Sequence, residues 1–225
     1  MQDSSFSLFH HSAEPKTGGA AKAPLLLLLH GYGANEDDLF GLAPYVDERF
    51  LVISARAPVR LGLGMHAWFR LGFTPEGILI DPHEVEQART TLRGFLDELL
   101  AAYPIDTNAI YLLGFSQGAM MGLDLALREP ELIAGVVALS GRIMPSSLET
   151  LAEADRLIGL PIFVAHGTED NILPIGHGRA TRERLGALPV SLTYREYAMG
   201  HTISEDSLRD VAEWLRQQLS QHLIH

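Results

Sequence analysis

Six apolar runs of four to six residues recur along the chain, and several of the stretches between them have helical spacing. Runs this short that stay apolar at successive positions are typical of strands buried on both faces of a sheet. Strands that alternate with helices form a mostly parallel sheet whose two faces the helices cover. The sequence therefore predicts an α/β fold with its central strands at residues 25–29, 50–54, 110–113, 135–139, 161–165 and 192–197.

Two predicted helices have recognisable beginnings. The first follows Asp81, which can cap it, while Pro82 suits the first turn and Glu84 can close a capping box. The second begins near Ser204, with acidic residues in its positive first turn. Each is expected to bury one apolar stripe. The stripes are Val85, Ala88, Leu92, Phe95, Leu96 and Leu99 in the first helix, and Leu208, Val211, Leu215 and Leu219 in the second.

Two further segments are predicted outside this framework. Residues 6–10 are expected to form an early edge strand, which a surface turn at 16–22 joins to the next strand. Residues 55–80 have neither clear helical nor clear strand spacing and are interpreted as a long functional loop. Its aromatic residues Trp68, Phe69 and Phe73 are predicted to bind substrate. The alternative is that these aromatics close one end of the hydrophobic core.

The length of 225 residues fits one α/β domain that spans residues 1–225. Only about 20 residues separate the run that ends near Ser140 from the run that begins at Pro161. This spacing leaves little room for a separate cap domain, so we expect an open site.

Charge and composition narrow the function classes. The net charge of −11 at pH 7 disfavours nucleic acid as a partner. Without cysteine, the chain has no disulfide, thiolate nucleophile or zinc–thiolate site, and no nucleotide or metal motif is present. We therefore predict no cofactor and no metal.

The longest aliphatic run, residues 25–29, is far shorter than the roughly 20 residues of a membrane helix, and residues 1–5 lack a basic leader. A cytoplasmic protein without stable membrane insertion is expected, and a homodimer is one expected state.

The motif Gly114-Phe115-Ser116-Gln117-Gly118 directly follows the apolar run 110–113 and precedes a good helix-forming stretch. A serine on such a sharp strand-to-helix turn projects its hydroxyl above the sheet, and small neighbours are needed to leave space for the turn. The bare pattern is weak, but this setting favours Ser116 as a nucleophile over an ordinary glycine-flanked turn.

A serine hydroxyl needs a histidine base that a carboxylate holds in the right tautomer. Asp170, after the run 161–165, is the best acid, and His201, before the last helix, is the best base. The order serine, aspartate, histidine is the one that the α/β-hydrolase fold requires. Glu169 and Asp155 are weaker alternatives for the acid. His30 and His166 stand at strand ends and are interpreted as buried structural residues.

Acyl transfer also needs amides that face the developing oxyanion. The backbone N–H of Gln117, directly after the nucleophile, is one expected donor. Tyr32, in the sequence His30-Gly31-Tyr32-Gly33, is the favoured second donor, with Gly31 and Gly33 as less favoured alternatives.

These motifs, together with His166-Gly167-x-x-Asp170 and Gly200-His201, resemble the phospholipase/carboxylesterase family, which includes acyl-protein thioesterases. The resemblance spans roughly residues 24–220. It implies that Ser116, Asp170 and His201 form the catalytic triad and supports Tyr32 and Gln117 as oxyanion donors. Two departures matter: the residue matching Tyr32 is often aliphatic in the family, and residues 68–73 resemble bacterial esterases more than eukaryotic thioesterases.

The function expected from the sequence is hydrolysis of small carboxylic esters or thioesters with short or medium acyl chains, through an acyl-enzyme. A lysophospholipase or acyl-protein thioesterase is the alternative reaction within this class. A peptidase or amidase could use the same triad. A catalytically silent binding protein on the same fold is the alternative of another class.

Overall fold

A seven-stranded sheet forms the centre of the molecule in the computed structural model, which describes residues 6–17, 22–74 and 77–222. The strands within these ranges are β1 His10–Ala13, β2 Ala23–Leu29, β3 Leu51–Ala55, β4 Val59–Gly62, β5 Met65–Ala67, β6 Leu71–Thr74, β7 Gly77–Ile80, β8 Ile105–Phe115, β9 Gly135–Leu139, β10 Pro161–Gly167 and β11 Ser191–Tyr197. The α-helices are α1 Glu36–Phe40, α2 Pro82–Ala102, α3 Gln117–Arg128, α4 Pro145–Glu149, α5 Gly176–Gly186 and α6 Glu205–His222.

The strand order in the central sheet is β1-β3-β2-β8-β9-β10-β11. All neighbouring strands are parallel except β1, which runs antiparallel to β3. Every one of the six predicted central strands is present, so the predicted mostly parallel sheet is confirmed. Between β9 and β10 the chain forms only α4 and a short 3₁₀ helix, Ala154–Leu157, and this agrees with the prediction that there is no cap domain.

The edge strand is four residues later than predicted. The strand was predicted at residues 6–10 because Phe6 and Leu8 are apolar, but these side chains pack in the core. Leu8 is buried, and the Phe6 ring packs edge-on against Phe95, with 6.3 Å between the ring centroids. The strand itself is the more polar His10–Ala13, in register with β3 from His10 opposite Ala55. The predicted turn at 16–22 lies partly outside the described residues.

Helices cover both faces of the sheet, as predicted. Because side chains alternate along a strand, Leu25, Leu27 and Leu29 pack on one face with α2 and α3, while Leu26 and Leu28 pack on the other with α1 and α6. All six residues of the predicted α2 stripe are buried. In α6, three of the four predicted residues are buried, and Leu208 is half-buried.

The beginning of α2 differs in one detail from the prediction. Asp81 caps the helix, because its side chain accepts a hydrogen bond from His83 N at 2.9 Å, and Pro82 is the first helical residue. Glu84 does not serve the predicted capping box. Its carboxylate accepts instead from Arg70 N at 2.7 Å and from the Arg70 guanidinium at 3.1 Å. Glu84 therefore ties α2 to the segment before it.

Residues 55–80 are not the loop that was predicted, because they form two antiparallel hairpins, β4–β5 and β6–β7. These strands have three or four residues each, too few to show a period in the sequence. The first hairpin joins the segment after β2, since Gly33 N donates to His66 O and His66 N donates to Ala34 O, both at 2.8 Å. The described part of the chain contains no helix that is long and apolar enough to cross a membrane.

Candidate active site

Ser116 lies at the turn between β8 and α3, as the glycine pattern predicts. Its φ of 52° and ψ of −111° are a strained combination that costs a non-glycine residue on the order of 1–3 kcal/mol. The close approach of neighbouring backbone explains both glycines. A Cβ on Gly114 would lie 2.3 Å from Gly118 O, and a Cβ on Gly118 would lie 1.9 Å from Leu29 O. Neither position has space for a side chain, so the packed turn holds Ser116 in its strained conformation.

The backbone of Ser116 is also fixed from β9, because Ser116 N donates to Leu139 O at 2.8 Å. The side chain is half-buried, and its hydroxyl has no hydrogen-bond partner among the described residues. Ser116 therefore presents an uncommitted hydroxyl at the carboxyl edge of the sheet.

Asp170 and His201 are joined by a hydrogen bond of 2.7 Å between Asp170 Oδ2 and His201 Nδ1. The other carboxylate oxygen accepts from Ile172 N at 2.9 Å and from Leu173 N at 2.8 Å. Burial raises the pKa of Asp170, but the hydrogen bonds from His201, Leu173 and Ile172 outweigh it and leave this pKa below its usual value. Asp170 is therefore an ionised, fully hydrogen-bonded partner for the imidazole.

The loops that carry Asp170 and His201 are packed directly on each other. Thr168 N donates to Tyr197 O at 2.8 Å and Glu169 N donates to Met199 O at 3.1 Å. A Cβ on Gly167 would lie 2.2 Å from Met199 O, so only glycine allows this approach. The side chain of Glu169, the adjacent alternative acid, is exposed. The geometry favours Asp170 over Glu169 as the partner of the histidine.

The His201 ring packs against the Phe115 ring, with 4.9 Å between their centroids. This contact places His201 beside the Ser116 turn. No hydrogen bond joins His201 to Ser116 within the part of the chain that the structure describes. Catalytic hydrogen bonds in unliganded sites are often long and tighten only when the substrate binds. Ser116, Asp170 and His201 all follow the carboxyl ends of central strands, so the sheet brings them to one edge.

The histidines interpreted as structural are hydrogen-bonded within the protein. His30 is fully buried, with Nε2 accepting from Ala57 N at 3.0 Å and Nδ1 2.7 Å from Gly31 O. Burial lowers the pKa of His30 to about 4, so the ring is neutral near pH 7. His166 is also fully buried, and its Nε2 lies 2.7 Å from Leu173 O. Neither ring is exposed to act as a base.

The amides predicted to face an oxyanion differ in availability. The N–H of Gly33 is already bound to His66 O at 2.8 Å, which removes Gly33 from the alternatives. Among the described residues, the N–H groups of Tyr32 and Gln117 have no acceptor. A Cβ on Gly31 would lie 3.4 Å from Ser116 Cβ, so the segment before Tyr32 lies against the nucleophile. Tyr32 and Gln117 therefore remain the favoured donors.

The side chain of Gln117 has a second role that the sequence did not suggest. It is 2% exposed, its Oε1 accepts from Trp68 N at 2.8 Å, and its Nε2 donates to Phe69 O at 2.8 Å. Glutamine can satisfy a backbone donor and a backbone acceptor together. Gln117 thus fixes residues 68–69 to the start of α3.

The structure does not favour the prediction that Trp68 and Phe69 bind substrate. Their side chains are 1% and 0% exposed and belong to the hydrophobic core, so no surface of either ring faces a cleft. Trp68 Nε1 also donates to His30 O at 3.0 Å. The alternative interpretation, that these aromatics close one end of the core, is the one the structure supports. The side chain of Phe73 lies outside the described residues.

Apolar side chains exposed near the site come from positions that the sequence did not single out. In the β4–β5 hairpin, Met65 is 47% exposed. Met65 Cε would lie 3.4 Å from a Cβ on Gly33, which places it beside the oxyanion segment. Ile172, two residues after Asp170, is 65% exposed. Only the tertiary structure distinguishes these residues from ordinary core residues.

One group of described side chains, His11, Glu36 and Asp37, has ligand atoms within 4.8 Å of one another, as a metal site would need. It lies at the β1 edge rather than beside Ser116. Both oxygens of Glu36 accept from the Arg56 guanidinium, and His11 Nε2 is 2.8 Å from Asp37 Oδ1. These contacts form an ion-pair network in which Arg56 already compensates the buried carboxylate.

The parallel sheet, the strained serine turn and the Asp170–His201 pair together define the class of protein: a serine hydrolase of the α/β-hydrolase fold. The chain belongs to the phospholipase/carboxylesterase family, whose model matches residues 11–219.

Individual similarities agree with this assignment. The chain is 30% identical to acyl-protein thioesterase 1 of Candida albicans over 226 residues, covering 90% of this chain and 94% of the relative. It is 26% identical over 219 residues to a probable inactive carboxylesterase of Oryza sativa subsp. japonica, covering 92% and 89% of the two chains. Its fold matches the crystal structure of the Bacillus cereus carboxylesterase with a TM-score of 0.79 and 30% identity, covering 94% of this chain and 95% of that one.

Proposed function

We propose that this chain is a serine carboxylesterase that hydrolyses esters and thioesters with short or medium acyl chains. The observation that carries the proposal is the 2.7 Å hydrogen bond between His201 Nδ1 and the buried carboxylate of Asp170. A histidine whose Nδ1 proton is held in this way has Nε2 free to accept a proton. Ser116, on its strained turn at the same edge of the sheet, is the group that needs such a base.

The proposed mechanism begins when His201 removes the proton of Ser116 as Oγ attacks the substrate carbonyl. The N–H groups of Tyr32 and Gln117 donate to the oxyanion that develops, and the ionised Asp170 stabilises the imidazolium. The imidazolium then protonates the leaving alcohol or thiol, which leaves an acyl-enzyme. Water, deprotonated by the same histidine, attacks the acyl-enzyme and releases the acid.

The short connection between β9 and β10 supports an open site, since it holds only α4 and one 3₁₀ helix. The exposed side chains of Met65 and Ile172 offer apolar contact to an acyl chain at its rim. An open rim of this kind suits short or medium chains, because it gives a long chain little enclosed surface to bury.

Two alternatives have specific support. The Candida albicans relative is named an acyl-protein thioesterase, so thioester hydrolysis is the second candidate reaction. The rice relative is named as inactive, so membership of the family does not by itself imply catalysis. Here the serine, the acid and the histidine are all present, which favours the active enzyme.

The remaining parts of the proposal concern the setting of the enzyme. We propose a single domain of residues 1–225, in agreement with the length of the chain, and a small-molecule substrate. The net charge of −11 agrees with the lack of a nucleic-acid partner, and the lack of cysteine agrees with a cytoplasmic location. The homodimer stays a prediction, which light scattering of the purified protein would test.

Labelling with a fluorophosphonate probe tests the catalytic assignment. We expect the wild type to be labelled at Ser116, and Ser116→Ala to lose both labelling and ester hydrolysis. Ser140→Ala is a matched control, because Ser140 also has a positive φ of 49° and its buried Oγ has no hydrogen-bond partner among the described residues. A Ser116→Ala protein that hydrolyses esters at the wild-type rate would refute the assignment.

A further inference from the structure

Arg142 lies between the Ser116 turn and α5, because the residue before it packs on the turn and the residue after it is hydrogen-bonded to α5. It lies three residues after the end of β9. A Cβ on the preceding Gly141 would lie 3.1 Å from Ser116 O and 2.5 Å from Ala119 Cβ, so this segment packs on the turn. On the other side, Ile143 N donates to Thr181 Oγ1 of α5 at 3.2 Å. The backbone of Arg142 therefore bridges the nucleophile turn and α5.

The guanidinium of Arg142 lacks the partner that other partly buried arginines have. Arg89 and Arg128 contact carboxylates at 2.8 Å, and Arg93 does so at 3.0 Å. Within the described residues Arg142 has no carboxylate in ion-pair range, and its Nε is buried without a hydrogen-bond partner. Burial lowers the pKa of Arg142, whereas hydrogen bonds to carboxylates raise those of Arg89 and Arg93.

A guanidinium nevertheless stays protonated in proteins. A partly buried cation without a counter-charge is costly, and the cost is removed when an anion binds. The missing partner of Arg142 is therefore expected to come from outside the chain.

Arg142 lines a cavity of about 120 Å³ between its own loop and α5. A second cation, Arg184, lines it as well, and among the described residues this arginine also has no ion pair. Thr181 and His177 add polar groups on the same face of α5. Of the described residues that line the cavity none is acidic, since the others are Ile143, Pro145 and Ala180. Because a water molecule occupies about 30 Å³ in the liquid, the cavity has room for a carboxylate or a phosphate group.

His177 does not act as a fixed third charge. Burial lowers its pKa, and the neighbouring Arg142 lowers it further. A neutral imidazole can still donate one hydrogen bond. The charge of the cavity therefore comes from the two arginines, in a protein whose net charge is −11.

We propose that Arg142, with Arg184 and Thr181, forms a subsite that binds an anionic group of the substrate while Ser116 attacks its ester carbonyl. The preferred substrates are then esters that carry a carboxylate or a phosphate, held by the planar fork of the guanidinium. This inference rests on the proposed esterase function. It adds a substrate class, acidic esters, that the serine, aspartate and histidine do not specify.

Pairs of esters that differ only in charge test the proposal. On the acyl side, mono-p-nitrophenyl glutarate is compared with its methyl-capped diester. On the alcohol side, 1-butyrylglycerol 3-phosphate is compared with 1-butyrylglycerol. The measured quantity is the ratio of kcat/KM for the anionic ester to that for the neutral ester. We expect a ratio well above one for wild type in at least one pair, and the pair that shows it identifies the anion as carboxylate or phosphate.

Arg142→Met should lower that ratio by about tenfold to a hundredfold, the range for loss of a hydrogen bond to a charged group. Arg142→Lys should lower it less, because lysine keeps the charge but not the fork. Arg195→Met is the matched control, since Arg195 is exposed on β11 and its loss changes net charge equally. This control should keep the wild-type ratio. If Arg142→Met does not fold, judged by thermal unfolding, Arg142→Lys provides the same test.

A wild-type ratio near or below one in both pairs would overturn the subsite, as would an unchanged ratio in the Arg142 variants. Neutral esters would still be hydrolysed in either case, and the proposed esterase function would stand. A folded wild type that hydrolyses no ester and takes no fluorophosphonate would overturn the esterase function itself, and the subsite with it.

Discussion

The exchange Asp170→Asn tests how the protein holds its histidine, because it replaces one acceptor oxygen and keeps the shape of the side chain. In the wild type, Oδ1 accepts from Ile172 N and Leu173 N, while Oδ2 accepts from His201 Nδ1. Asparagine has one carbonyl oxygen and one NH₂ group, so it cannot satisfy all three donors.

Each orientation of the amide has a definite cost. If the oxygen faces Ile172 and Leu173, the NH₂ group faces His201 Nδ1, and the ring must carry its proton on Nε2. His201 can then no longer accept the proton of Ser116. If the oxygen faces His201, the amides of Ile172 and Leu173 lose their acceptor, at about 1–3 kcal/mol each. The first orientation should prevail, so the variant folds with the wrong tautomer.

We expect Asp170→Asn to lower kcat by roughly 10³- to 10⁴-fold, which corresponds to about 4–5 kcal/mol of transition-state stabilisation. Initial rates with p-nitrophenyl butyrate over a range of pH measure this directly. The control is Glu169→Gln, an identical chemical change at the adjacent exposed carboxylate, which should stay close to wild type. A loss of less than tenfold in Asp170→Asn, in folded protein, would refute the assignment of Asp170.

The pH dependence of thermal stability is a second measurement on the same substitution. The pKa of Asp170 is lowered in the folded protein, so its carboxylate stabilises the fold above the unfolded pKa of about 3.9. This stabilisation is lost as pH falls through the folded pKa. The difference in Tm between wild type and Asp170→Asn should therefore be largest near neutral pH and shrink in acid. A difference that grows as pH falls would contradict the hydrogen-bonding account.

Two further substitutions test the packing behind the site by thermal unfolding. Gln117→Ala leaves Trp68 N–H and Phe69 C=O buried without partners, and it should lower the free energy of unfolding by about 1–3 kcal/mol for each group. The control is Gln87→Ala, since Gln87 is exposed on α2. A Gln117→Ala protein as stable as that control would contradict the role of the side chain. Gly118→Ala places a Cβ 1.9 Å from Leu29 O and should prevent folding or lower Tm sharply. Alanine at Gly94 of α2 should be tolerated, because its Cβ would have no described atom within 4 Å apart from its chain neighbours and the backbone of its own helix. Equal Tm values for the two variants would show that the turn can move.

The central sheet could be predicted, and the candidate triad could be proposed, because their signals in the sequence are local. Each parallel strand is a continuous apolar run, since both of its faces are buried, and the strand–turn–helix setting of Ser116 is contained within about 20 residues. The chain order of Asp170 and His201 then follows from the order of the strands that carry them. These features need no knowledge of which side chains meet across the fold.

The hairpins at 55–80 could not be predicted for the opposite reason. Their strands are three or four residues long, and their positions depend on distant partners, such as Gly33 with His66 and Glu84 with Arg70. The burial of Trp68 likewise depends on Gln117, which is 49 residues away. A glycine-rich stretch with large aromatic residues has the same composition whether those residues face a ligand or the core. Composition therefore could not show which way the aromatic side chains point, and the structure of this region depends on long-range hydrogen bonds.

Gln117 combines a role that its position in the sequence predicts with one that depends on long-range contacts. Its backbone N–H is an expected oxyanion donor, while its side chain is hydrogen-bonded to the backbone of residues 68–69. Trp68 Nε1 in turn donates to His30 O, at the beginning of the segment that carries Tyr32. The two segments that carry the expected oxyanion donors are thus connected through one buried chain of hydrogen bonds. Because preorganised donors are effective only when they do not have to move, this chain provides a physical reason for a buried glutamine directly after the nucleophile.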